Sequence, residues 1–239
     1  MTRPFLRLVM LGAAAMAAGV LARARFRRAA STGARLLRDL GPVRQFDVHL
    51  TGFQLLKDDP DRQLEVHHYC HQVNEDFLQC VLFDGDGADA RLTGVEFIIS
   101  ERLYDTLPED EKPYWHPHNH EILSGQLVAP DLPARAEMEW MRRQVNSYGK
   151  TWHFWLTGGI GHEAEPLPMG EPCLAWSFNR EGEIDPRLTR ERDARLGLDP
   201  ERKRAERAGL AELAHPQRGE DTLKDALPIS EPSAPGARE

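Results

Sequence analysis

FLQCVLFDGDGADARLTGVEFIIS, residues 77–100, is the stretch whose reading decides the fold. Its first seven residues form a compact apolar run of the length and composition of a buried strand. Gly85 and Gly87 then stand among aspartates, where glycine permits the positive φ of a turn. Residues 91–100 alternate, with Leu92, Val95, Phe97 and Ile99 set against polar neighbours, which predicts the second strand of a hairpin. Working towards the N-terminus, residues 64–71 read as another strand and Lys57-Asp58-Asp59-Pro60-Asp61 as a turn. Phe46, Val48 and Leu50 alternate like a strand before it. On the other side, a short helix begins at Ser100-Glu101 and stops at Pro108, and residues 121–129 read as a strand. Met138, Met141, Val145 and Tyr148 fall on one stripe of a helix over 133–148, closed by Gly149. Residues 151–156 and 174–178 supply two more strands. Strands in succession with few helices predict an α+β fold, mostly antiparallel sheet, in a single domain over residues 42–185.

The whole chain has 239 residues, 41% hydrophobic and 28% charged, enough apolar material for one sizeable core. Disordered, collagen-like, coiled-coil and polytopic membrane classes are excluded. Three cysteines do not make a disulfide scaffold, although one bridge is open to them. Charge is unevenly placed. Residues 1–40 hold eight arginines against Asp39 alone, +7, which leaves −15 on residues 41–239. A body so acidic repels a phosphate backbone, and no nucleic-acid partner is expected.

Residues 8–22 form an uncharged run, LVMLGAAAMAAGVLA, between Arg7 and Arg23. Two readings stand. As a signal peptide over residues 1–24 it has a basic start, an apolar middle and Ala22-Arg23-Ala24 as a cleavage site. As an apolar anchor helix it falls short of the roughly 20 residues that span a bilayer, a deficit that snorkelling arginines partly offset. Residues 25–41 read as a basic linker. After Pro186 the sequence turns to charge, and residues 186–239 are expected as a charged tail, partly helical and then disordered from Pro216.

Histidines carry the candidate chemistry. His67, His68 and His71, then His116, His118 and His120, then His153, fall in three short segments. Neutral imidazole is a common ligand for zinc, iron, copper or nickel, and Glu121 adds a carboxylate. A polar pocket of His67, His68, Cys70, His116, His118, Glu121 and His153 is expected, with His116, His118, Glu121 and His153 as its metal-binding subset. A divalent transition metal is the cofactor such a set would take. Because His67 and His68 are adjacent, a regular strand sends them to opposite faces. Cys70 is open to a role as thiolate ligand or nucleophile, as a small buried apolar side chain, or as partner of Cys80 if the domain is exported. No GxSxG elbow occurs, and the Thr157-Gly158-Gly159-Ile160-Gly161 turn lacks the lysine of a phosphate loop.

EVHHYC (65–70), Asn74-Glu75, Gln79-Cys80, ARLTGVEFIIS (90–100), LYDTLP (103–108), WHPH (115–118) with Glu121, SGQL (124–127) and YGKTWHFW (148–155) occur in that order. This series closely resembles the oil body-associated protein family over about residues 42–185, and RERDARLGLD in the tail resembles its usual ending. The resemblance implies a location, the surface of seed lipid droplets, and no reaction. His67, His68, Cys70, His116, His118, Glu121 and His153 match family motifs, whereas His71 and His120 do not. The arginine-flanked apolar run departs from the plant pattern and suggests a bacterial-type anchored or exported form. The first expectation is therefore a non-enzymatic protein at a membrane or lipid surface, membrane-associated or exported to the cell envelope, with a cytoplasmic lipid surface as the alternative. The second is a metal-binding protein or metal-dependent enzyme using the His/Glu cluster.

Overall fold

The computed structural model describes residues 41–227, and from Gln45 onward they form one compact unit. Four long strands run as a meander: β1 (Val48–Leu56), β2 (Asp59–Asn74), β3 (Phe77–Phe83) and β4 (Leu92–Ile99). The expected hairpin is present, with Phe77 facing Ile99 and Cys80 facing Glu96. β4 then pairs with β6 (Tyr148–His153), β6 with β7 (Cys173–Trp176), and β7 returns to β1 through Leu55 and Leu56. All these pairings are antiparallel, so six strands close into a barrel. The two-residue β5 (His116–Pro117) lies beside β6, His116 facing Gly149.

This closure corrects the expected α+β class. The strands were readable one by one, but the β4–β6 and β7–β1 pairings that remove the sheet's edges join residues far apart in sequence. A barrel without edges satisfies every strand's backbone partners on both sides. Two local expectations change with it. Residues 121–129 are not a strand: Asn119–Leu123 is a helix, and beyond it only Val128 bridges to Thr51. The strand expected at 151–156 lies at Tyr148–His153, since β6 must align with β4.

Register defines what the barrel encloses. Leu50, Val66, Cys70, Leu78, Cys80, Leu82 and Ile98 share the inner face and form one buried cluster. The short helices α1 (Glu101–Asp105, capped by Ser100) and α2 (Asn119–Leu123) follow β4, and α3 (Ala134–Gln144) adds Trp140 and Met141 to that cluster. Its strand alternation is the reverse of the sequence reading in β4. Phe97 is 38% exposed and Glu96 only 2%, so the acid points in and the aromatic out.

The outer face of β1 and β7 is covered by the C-terminal segment. Phe53, Leu55, Trp176 and Phe178 pack against Ile184, Leu188, Leu223 and Leu227. Helices α4 (Pro186–Leu196) and α5 (Pro200–Arg207) each start with an aspartate N-cap followed by proline at the first helical position, and Gly197 in the left-handed region ends α4. The expected disordered tail is thus corrected for residues 216–227. Its leucines have an apolar face to cover, and Gln217 and Glu220 bond Asn119 at 2.9 and 3.0 Å. The apolar run at 8–22, the rest of residues 1–40 and residues 228–239 lie outside the described residues. Among the described residues no helix is long and apolar enough to cross a membrane.

Two buried arginines tie this segment to the loop after α2. Arg207, 1% exposed, donates to Ile122 O (2.7 Å), Leu127 O (2.6 Å) and Glu137 Oε1 (2.7 Å). Arg192 donates to Gln126 O (2.6 Å) and Gly125 O (3.1 Å), with Asp193 beside it at 2.7 Å. Without Arg207 the Leu127 carbonyl loses its donor and Glu137 loses one of two cationic partners, Lys203 Nζ staying at 2.8 Å, at a cost of about 1–3 kcal/mol for each unsatisfied buried group. Arg207→Ala is therefore expected to lower unfolding stability by roughly 3 kcal/mol, read from urea denaturation. A loss below the ~0.5 kcal/mol typical of surface changes would contradict this placement.

Candidate metal centre

Inside the apolar barrel sits a polar cluster built on Glu96. The closed sheet puts Glu96 of β4 opposite Cys80 and Thr151, and Gly94 opposite His153, all on the inner face. His68 of β2 lies between Leu50 and Leu82 on that same face. β5 brings His116 over Gly149, and the N-cap position of α2 brings His118. All three imidazoles reach the one carboxylate through Nε2. His68 Nε2 is 2.9 Å from Oε2, while His116 Nε2 and His118 Nε2 are 3.3 and 3.4 Å from Oε1. His116 and His118 are 3.3 Å apart at Nε2, and Glu121 Oε1 is 3.9 Å from His118 Nε2. One donor atom from each of Glu96, His116 and His118 thus falls within 4.8 Å of the other two.

Burial and charge act against each other here. Burial pushes Glu96 up, but the imidazoles of His116, His118 and His68 against its oxygens outweigh it and hold the carboxyl well below its usual range. Burial lowers His116, and the charge of His118 adds to that against the pull of Glu96. His118 goes the other way: burial lowers it, yet Glu121 and Glu96 together raise it. Glu121, buried and facing the Glu96 charge, is pushed up to about 7 in spite of His118. His153 is pushed down to about 4 by burial and by His68.

The sequence-expected residues divide. His68, His116, His118 and Glu121 come together. His153 is on the same face but bonds Gln54 Oε1 at 2.9 Å, and Gln54 Nε2 in turn lies 3.4 Å from His68 Nε2. His67 points outward, between His49 Nε2 at 3.1 Å and Glu65 Oε1 at 3.2 Å. Cys70 is bonded to Cys80 directly across the strands, so it offers no free thiol. Sequence reading missed Glu96, Ser147 and Gly149. Glu96 was set aside as the polar side of an alternating strand, and only its pairing with β6 and the facing histidines marks it as inward. Ser147 Oγ lies 2.8 Å from His118 Nδ1 and orients the ring.

These features define a closed antiparallel barrel with a buried two-histidine, one-carboxylate centre. The family described as "Protein of unknown function (DUF1264)" matches residues 40–211. Oil body-associated protein 2A of Zea mays is 39% identical over 190 residues, 79% of this chain and 74% of its own. Oil body-associated protein 1B of Arabidopsis thaliana is 38% identical over 180 residues, 75% and 73% of the two chains. Oil body-associated protein 1A of Zea mays is 37% identical over 184 residues, 77% and 76%. The chain belongs to the oil body-associated protein family. No solved structure matches it.

Gly149 is where this centre meets the backbone. A Cβ there would stand within 2.6 Å of Glu96 Oε1, His118 Nε2 and His116 Nε2 at once. Gly149→Ala is expected to cost about 1–3 kcal/mol through overpacking against these three donors. Gly209→Ala, with nothing within 4 Å of the added Cβ, should cost far less. Urea midpoints of the two variants provide the comparison, and equal midpoints would contradict the convergence on Gly149.

Proposed function

We propose that this protein acts without catalysis at a lipid surface, that of a droplet or a membrane, as the names of its relatives suggest for them. The observation carrying the reading is the 37–39% identity to three oil body-associated proteins over about three quarters of the chain. Two features of the chain support it. The uncharged run at residues 8–22, flanked by arginines, has the pattern of a lipid anchor. Leu167 and Met169, 63% and 61% exposed, present apolar side chains on the long connection before β7. Contact with lipid would remove such surface from water at about 25 cal/mol per Å².

Flotation of the full chain with triacylglycerol droplets coated in phosphatidylcholine tests the reading. The wild type should rise with the droplets, and the double variant Leu11→Asp/Val20→Asp should lose most of that recovery, because each charge opposes burial of the run. Wild-type protein that stays in the aqueous layer would overturn the proposal. Retention in that variant, with loss in Leu167→Ser/Met169→Ser, would move the contact to the loop.

A further inference from the structure

The triangle formed by Glu96 Oε1, His116 Nε2 and His118 Nε2 has sides of 3.3, 3.4 and 3.3 Å. Ligands about 2.0–2.1 Å from one zinc ion at tetrahedral angles stand about 3.3–3.4 Å apart. Right-angle ligands of a six-coordinate ion at a similar distance would stand about 2.9–3.0 Å apart. The observed edges fit a four-coordinate ion of zinc's size.

Proton placement leads to the same point. Ser147 Oγ donates its hydrogen to Gln144 O at 2.8 Å, so towards His118 Nδ1, also at 2.8 Å, it can only accept. His118 therefore carries its proton on Nδ1, and its neutral ring turns a bare Nε2 towards the Glu96 carboxylate. Two acceptors face each other across 3.4 Å inside the barrel. His116, whose Nδ1 has no partner, carries its proton on Nε2 when no ion is bound and stands 3.3 Å from both acceptors; a cation that displaces this proton takes its place between the lone pairs. His68, whose Nδ1 has no partner, places its proton on Nε2 and donates to Oε2, which leaves Oε1 to the side of His116 and His118. Such outer hydrogen bonds fix both ligands before metal arrives. Gly149 leaves room where the three donors converge.

We propose that Glu96, His116 and His118 form a divalent transition-metal site of zinc-like, four-coordinate geometry, with Glu121 Oε1 3.9 Å from its His118 donor. Ser147 and His68 are its positioning residues. Metal in this place ties β4, β5 and the start of α2 together. The proposal is independent of lipid attachment: protein that never floats can still bind the ion.

Full-length protein is stripped with chelator, loaded with Zn²⁺ alone and assayed for bound metal, with Co²⁺ as a spectroscopic substitute. One Zn²⁺ per chain is expected, together with the intense visible absorption of four-coordinate Co²⁺. His118→Gln should weaken zinc binding by more than about 100-fold, beyond the 10- to 100-fold of an outer-shell change. His49→Gln, on the outer face, should leave it unchanged. X-ray absorption of zinc-loaded wild type needs no variant, and it should show imidazole and carboxylate ligands. Failure to retain stoichiometric Zn²⁺, binding that survives His118→Gln, or a shell of oxygen alone or with sulfur would each overturn the proposal.

Discussion

A single carboxylate facing into a closed apolar barrel is the constraint on which the rest of the site depends. Moving an ionised Glu96 out of water costs several kcal/mol even after relaxation. The fold offsets that cost with three imidazoles drawn from three different elements. His68 comes from β2, His116 from β5 and His118 from the start of α2, and each must be in register for its Nε2 to reach the same two oxygens. Closure of the sheet and satisfaction of Glu96 are therefore linked: β4 pairs with β6, β6 carries Gly149 beneath His116, and any slip by one residue would send Glu96 to the outer face.

The C-terminal segment holds the loop side of this arrangement. His118, Asn119 and Glu121 lie where the chain leaves β5, in a stretch with one short helix and little sheet pairing. Arg207 and Arg192 take the carbonyls of Ile122 and Gly125 to Leu127, and Gln217 bonds both Asn119 N and Ser147 O. Ser147 in turn orients His118. A run of residues that looks, by composition, like a solvated tail thus supplies the clamps for the loop that completes the centre. Its charges are partly buried ones, paired with carbonyls that the barrel leaves over.

What the sequence revealed followed distance along the chain. The hairpin at 77–100 was legible because its apolar run, turn glycines and alternation lie within 24 consecutive residues. The barrel was not, since closure rests on Leu55 and Leu56 meeting Trp176 and Ala175, a contact without a local signal. The same division applies to the site. His68, His116 and His118 stood out by residue type, and the opposite orientation of His67 follows from strand alternation. Glu96 was hidden by that rule: Val95, Phe97 and Ile99 looked like the core phase of an ordinary two-sided strand. In this barrel Phe97 stacks on Phe77 at the surface, with centroids 6.0 Å apart, and the polar phase faces in. The packed part of the tail was missed because Leu210, Leu223 and Leu227 are spaced too widely among charges to register as periodic.

Family membership gives a lipid-surface setting by relation, whereas the barrel interior gives a chemistry by geometry, and the two need not act through the same residues. The interior of the barrel turns on Glu96 gathering His68, His116 and His118. Nitrogen-15 NMR of the histidine rings, comparing wild type with Glu96→Gln, tests it most directly. His118 should be protonated at Nδ1 in both, and the Nε2 resonances of His68, His116 and His118 should shift together in the variant while those of His49 and His67 hold still. Unchanged Nε2 resonances for His68, His116 and His118 on loss of the carboxylate charge would contradict it.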